Sequence, residues 1–155
     1  MKYIWALDLS LSNSGISVFD EFGNNIYIDS IPTTTKDDTA VRLHLIANKL
    51  LEIKKQYHPS KIILEKSFHR FNISTEQIYR VVGVVEYLFW DIEKIYYAST
   101  TVKKEVTGKG NSKKNDVEKN IKNKYPNIKF KNLDESDSFA VGLTYFYKEG
   151  VLING

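Results

Sequence analysis

Tyr3-Ile4-Trp5-Ala6-Leu7-Asp8-Leu9 opens the chain as an apolar run that carries one carboxylate toward its far end. A short, nearly continuous apolar run reads as a buried strand. An acid at the end of such a strand is costly unless something positive meets it. The same pattern returns at Ile62-Ile63-Leu64-Glu65. A third occurrence is the pair Asp134 and Asp137, three residues apart at the mouth of a strongly apolar helix and so on one of its faces. The helix N-terminus itself disfavours a cation there, so the two acids must overcome that dipole. Three or four converging carboxylates call for a hard divalent cation, and a hard cation implies phosphate chemistry.

Working outward from Tyr3–Leu9, a polar turn over Ser10 to Ser14 leads into two strands, Gly15–Phe19 and Ile26–Ile31. They form a hairpin around Asp20-Glu21-Phe22-Gly23-Asn24. Asp38 or Thr39 caps a helix running to about Tyr57, with a wide apolar face of Val41, Leu43, Leu45, Ile46, Leu50, Leu51 and Ile53. Lys61–Glu65 is the fourth strand. A right-handed crossover through the helix would set it beside the first strand, which makes Asp8 and Glu65 neighbours. The Ser74–Gln77 capping box starts a second helix, apolar around most of its circumference and reaching about Trp90. Lys94–Ala98 is the fifth strand. A short helix follows from about Thr100 to Thr107, then the loop Gly108–Ser112 and a lysine-rich helix to Tyr125. The last helix spans about Glu135 to Gly150. This order predicts an α/β fold, a mixed five-stranded sheet of three antiparallel strands and then α-β units, with helices on both faces.

The 155 residues suit a single domain over positions 1–155. No run of about 18 uncharged apolar residues is present, so no membrane span is expected and the cytoplasm is the default location. Zero cysteines exclude thiolate zinc sites and cysteine nucleophiles, and three histidines argue against a histidine-rich transition-metal site. The net charge of +3 is unevenly spread. Thr101 to Lys131 holds ten lysines against Glu105, Asp116 and Glu118, a local +7, which leaves −4 elsewhere. A basic lobe beside an acidic cluster suits a polyanion that approaches a metal.

Four segments carry a resemblance. They are Leu7-Asp8, Ile62-Ile63-Leu64-Glu65-Lys66-Ser67-Phe68, the stretch Val102-Lys103-Lys104-Glu105-Val106-Thr107-Gly108-Lys109-Gly110-Asn111-Ser112-Lys113-Lys114-Asn115-Asp116-Val117, and Asp134-Glu135-Ser136-Asp137-Ser138-Phe139-Ala140-Val141-Gly142-Leu143. In that order they resemble the ribonuclease H-like nuclease superfamily and, within it, the RuvC family of Holliday junction resolvases. The resemblance implies a ribonuclease H-like sheet in which Asp8, Glu65, Asp134 and Asp137 hold magnesium, with manganese able to substitute, as two ions per site. Two cations suit an in-line phosphodiester displacement. It also implies catalytic roles for Lys103 and Lys114, with Phe68, Arg70, Lys104, Lys109 and Lys113 as further DNA contacts. A homodimer would use the Ile78–Phe89 helix, since two symmetric cuts need two sites. The lysine- and asparagine-rich composition is similar to that of phage-encoded members, which would work in the cytoplasm of a bacterial host.

The chain departs from the family where Leu9-Ser10-Leu11-Ser12 replaces the usual proline- and glycine-containing turn. Its only arginines are Arg42, Arg70 and Arg80, and lysine favours backbone charge over bidentate base reading, so weak sequence selectivity is expected, with forks and flaps cut as well as four-way junctions. Two alternatives remain open. One is a ribonuclease H acting on RNA–DNA hybrids, which would draw a carboxylate from Glu52 on the first helix. The other is a catalytically silent DNA-binding module.

Overall fold

The structure is a computed structural model that describes residues 1–66 and 73–154. Five strands form one sheet: β1 (Tyr3–Asp8), β2 (Asn13–Asp20), β3 (Asn25–Pro32), β4 (Pro59–Lys66) and β5 (Glu93–Ala98). Their spatial order is β3-β2-β1-β4-β5. β1 pairs antiparallel with β2 and parallel with β4, so the opening strand is central. The helices are α1 (Thr39–Gln56), α2 (Ile73–Leu88), α3 (Ser99–Thr107), α4 (Lys114–Lys124) and α5 (Leu133–Lys148).

The alternation of β1 explains the two layers. Ile4 and Ala6 enter one core with Phe139, Ala140 and Phe146 of α5 and with the buried valines of α3 and α4. Trp5 and Leu7 point the other way, into a core with Ile46 and Leu50 of α1 and Val81 and Val85 of α2. Both faces of the strand are therefore covered, which is why its apolar run is continuous rather than alternating. On the α1 side, Trp5 stacks edge-on against Phe89 at 5.3 Å and donates its indole N–H to the Tyr57 carbonyl at 2.8 Å. On the α5 side, Gly142 lets the helix settle onto Phe19, since a Cβ there would sit well inside 3.0 Å of that ring.

Three expectations need adjusting. The apolar face of α1 is narrower than its composition implies: Ile46, Leu50 and Ile53 are buried, while Val41, Leu45 and Leu51 are exposed. A helix lying on a sheet buries a single stripe, and Arg42, whose Nε donates to the Thr33 hydroxyl at 2.8 Å, belongs to that stripe. α2 begins at Ile73 and ends at Leu88, with Trp90 beyond it. α5 begins two residues ahead of Glu135, because Asn132 and not an acid caps it: the Asn132 side-chain oxygen accepts from the Glu135 amide at 3.0 Å. The expected Phe68 and Arg70 lie outside the described residues. Among the described residues, no helix is long and apolar enough to cross a membrane.

Candidate metal centre

The site stands at the end of β1. Asp8 is paired with Gly15 of β2 on one side, and on the other Leu7 is level with Leu64 of β4, which brings Glu65 next along. The first turn of α5 crosses this end of the sheet at very close range. A Cβ on Gly15 would fall well inside 3.0 Å of the Asp134 carbonyl group, so the missing side chain is what admits the helix. Besides the Asn132 cap, the buried Glu135 carboxylate anchors that turn by accepting from the Lys131 amide at 2.8 Å.

This packing gathers three of the four expected acids. Asp8, Asp134 and Asp137 each offer an oxygen, and those atoms lie within 4.8 Å of one another. Glu65 stands outside that trio but lines the same pocket as Asp8 and Asp137. Its carboxyl is engaged by the Ser99 side chain at the start of α3. Lys114 reaches in from α4 and places Nζ 2.9 Å from Asp137 Oδ2. Lys103 of α3 lines the pocket opposite, close enough that its charge favours ionised Glu65 and Asp137. Lys104, Lys109 and Lys113 are exposed and form no ion pair among the described residues. Lys109 borders a second, polar groove with Ser112, Lys119, Asn120 and Asn123. Lys103 thus faces the carboxylates, while Lys104, Lys109 and Lys113 are exposed along α3 and the loop that follows it.

The electrostatics are those of crowded acids. Asp8 is pushed well above the usual carboxylate range, first by burial, then by the charges of Asp137 and Glu65, with Lys114 opposing. Glu65 is raised by burial against the Ser99 hydrogen bond, and Asp137 by burial against the Lys114 hydrogen bond. Burial pulls Lys114 down, but its hydrogen bond to Asp137 and the surrounding acids outweigh it, so its ammonium is held protonated to higher pH. These residues fit a hard divalent cation: all donors are carboxylate oxygens, three are in reach of one point, and the pocket already draws in a positive charge.

Several contributors were not singled out from the sequence. Ser99 and Gly15 are two. Asn13 is a third, and its Nδ2 donates to Asp134 Oδ2 at 2.8 Å. Each acts across the fold, so only the Ser-Gly pair after the first strand hinted at a tight approach. Glu52 is on α1, in the opposite helical layer, and its nearest charged partner is Lys49 at 3.8 Å. The carboxylate that the hybrid-cutting alternative needs is not at this site.

Sheet order and carboxylate pocket together define a protein of the ribonuclease H-like fold with a cluster of acids at the end of its central strand. The chain belongs to the RuvC family: the family model described as crossover junction endodeoxyribonuclease RuvC matches residues 4–145. Similar proteins include a RuvC of Ehrlichia chaffeensis, 32% identical over 152 residues and covering 94% of this chain and 97% of that protein. A RuvC of Agrobacterium fabrum is 26% identical over 153 residues, covering 95% and 90% respectively. Among solved structures, Thermus thermophilus RuvC in complex with a Holliday junction superimposes with a TM-score of 0.81 at 17% identity, covering 97% of this chain and 98% of that one. The Fowlpox virus resolvase in complex with Holliday junction DNA gives 0.58 at 18% identity, covering 95% and 98%.

Proposed function

We propose that this chain is one divalent-metal-dependent endonuclease domain that resolves Holliday junctions, and cuts related branched DNA, by paired phosphodiester hydrolysis. One observation carries the reading: the Asp8, Asp134 and Asp137 oxygens lie within 4.8 Å of one another, with Glu65, Lys103 and Lys114 in the same pocket. Family membership supports junction DNA as the substrate.

When bound, two magnesium ions, with manganese as a substitute, would activate the attacking water and stabilise the leaving oxygen. Asp8, on the central strand, would hold them together with Glu65, Asp134 and Asp137. Lys103 and Lys114 are placed to offset phosphate charge as the water oxygen bonds to phosphorus. The bond to the 3′ oxygen breaks and that oxygen takes up a proton, leaving 5′-phosphate and 3′-hydroxyl ends. Lys104, Lys109 and Lys113 extend the positive surface along the DNA backbone. Being lysines, they favour phosphate over base edges, which supports weak sequence selectivity.

Two cuts require two sites, so the working unit is a homodimer in the bacterial cytoplasm. α2 supplies the face: Tyr79, Tyr87 and Trp90 are exposed on and just after a helix whose Val81 and Val85 are buried. Sedimentation should give a dimer at micromolar concentration; a monomer would remove this part of the reading.

A panel of matched-sequence substrates tests the function itself. With magnesium, a mobile four-way junction should be nicked in opposed strands at several sequences, and a fork more slowly, while an RNA–DNA hybrid stays intact. Cutting of the hybrid alone would install the ribonuclease H alternative, and cutting confined to one tetranucleotide would refute weak selectivity.

A further inference from the structure

Asn13 begins β2 and reaches Asp134 through its side-chain amide nitrogen, 2.8 Å from Oδ2. The other half of that amide is unusual. Asn13 Oδ1 is buried and is the one buried side-chain polar atom without a hydrogen-bond partner among the described residues. A buried acceptor left unmade is costly, and native structures seldom keep one without a reason. The amide cannot simply be turned over, because an oxygen facing the Asp134 carboxylate would repel it.

The surrounding turn fixes the Asn13 backbone. The Ser10 hydroxyl donates to the Asn13 carbonyl at 2.8 Å and lies 3.0 Å from the Asn13 amide, while Ser14 Oγ accepts from the Ser10 amide at 3.1 Å. Two residues on, Gly15 packs under the Asp134 backbone. Oδ1 therefore stays unpaired while Nδ2 holds Asp134.

We propose that Asn13 is a positioning residue of the metal centre. Its Nδ2 fixes one oxygen of Asp134, one of the three carboxylates that would hold the cation. This rests on the metal-centre reading given above. Outer partners of this kind typically change metal affinity by about 10- to 100-fold when removed.

The test is manganese binding to the protein without DNA, by calorimetry or by the free-ion EPR signal, together with thermal unfolding of the metal-free forms. Asn13→Ala should weaken binding by about ten-fold or more, with junction cleavage recovering when manganese is raised to saturation. Ser10→Ala loosens the same turn but touches no carboxylate, and it should bind manganese within about two-fold of wild type if outer-partner effects require the contact. Equal affinity for Asn13→Ala and wild type would overturn the proposal, as would an equal loss in Ser10→Ala, which would assign the effect to the turn. A wild-type protein that binds no manganese would instead overturn the metal centre itself. Should Asn13→Ala fail to fold, Asn13→Leu stays close in shape and removes the donor without adding a charge, and it carries the same expectation and the same contrary result.

Discussion

Asp8 concentrates the conflict between stability and function. Its carboxyl is withdrawn from water and crowded by Asp137 and Glu65, so in the metal-free protein it keeps its proton to higher pH than in the unfolded chain. Below the ordinary carboxylate range both states are protonated. As pH rises from about 4, the unfolded chain ionises first, and stability then falls until the folded groups have also ionised. Asp8, Glu65 and Asp137 all contribute with that sign. Metal-free Asp8→Asn is therefore expected to melt a few degrees above wild type at neutral pH, the shift that roughly 1 kcal/mol produces in a chain of this size. Thermal unfolding across pH checks it, and a less stable variant would contradict the electrostatics. The acids were legible in the sequence because each ends or begins an apolar segment. Asn13, Gly15 and Ser99 were not, because their meaning lies in contacts with distant residues: Asn13 and Asp134 are 121 positions apart.

Among the elements, α5 and β2 make the site what it is. The helix can cross the sheet end only because Gly15 has no side chain and Gly142 clears Phe19. Gly15→Ala should cost about 1–3 kcal/mol through overpacking, read as a lower urea midpoint, and should weaken manganese binding because Asp134 must move. Asn132→Ala should cost about 1 kcal/mol of helix stability through the lost cap, and a change below a few tenths would deny the cap its role. Periodicity exposed α5 as a helix, but not where it starts. Asp134 and Asn132 are both acceptable caps by residue type, and the hydrogen bond from the Glu135 amide to the Asn132 side-chain oxygen decides between them. α1 illustrates the opposite error. Its leucine-rich composition suggested a broad face, whereas the sheet beneath covers one stripe and leaves Val41 and Leu45 to solvent.

At the scale of the whole molecule, topology and charge separation divide the labour. Strand order was readable from three strands followed by alternating units, and it set Asp8 beside Glu65 as expected. The basic lobe from α3 to α4 lies alongside the carboxylate end of the sheet, so one surface attracts the polyanion that the other would cut. Junction binding should weaken steeply with salt. Replacing Lys109 and Lys113 together by alanine should lower the slope of log K against log salt by about 2, at little change in cleavage at saturating DNA. Fluorescence anisotropy with magnesium withheld measures this, and an unchanged slope would move the DNA path elsewhere. The gathered carboxylates are proposed above as a metal centre that cuts branched DNA. Its most direct test is a mobile four-way junction incubated in magnesium with wild type and with Asp8→Asn. Paired nicks by wild type, and none by a variant that still binds the junction with similar affinity, are the expected result; cleavage by Asp8→Asn at the wild-type rate would contradict it.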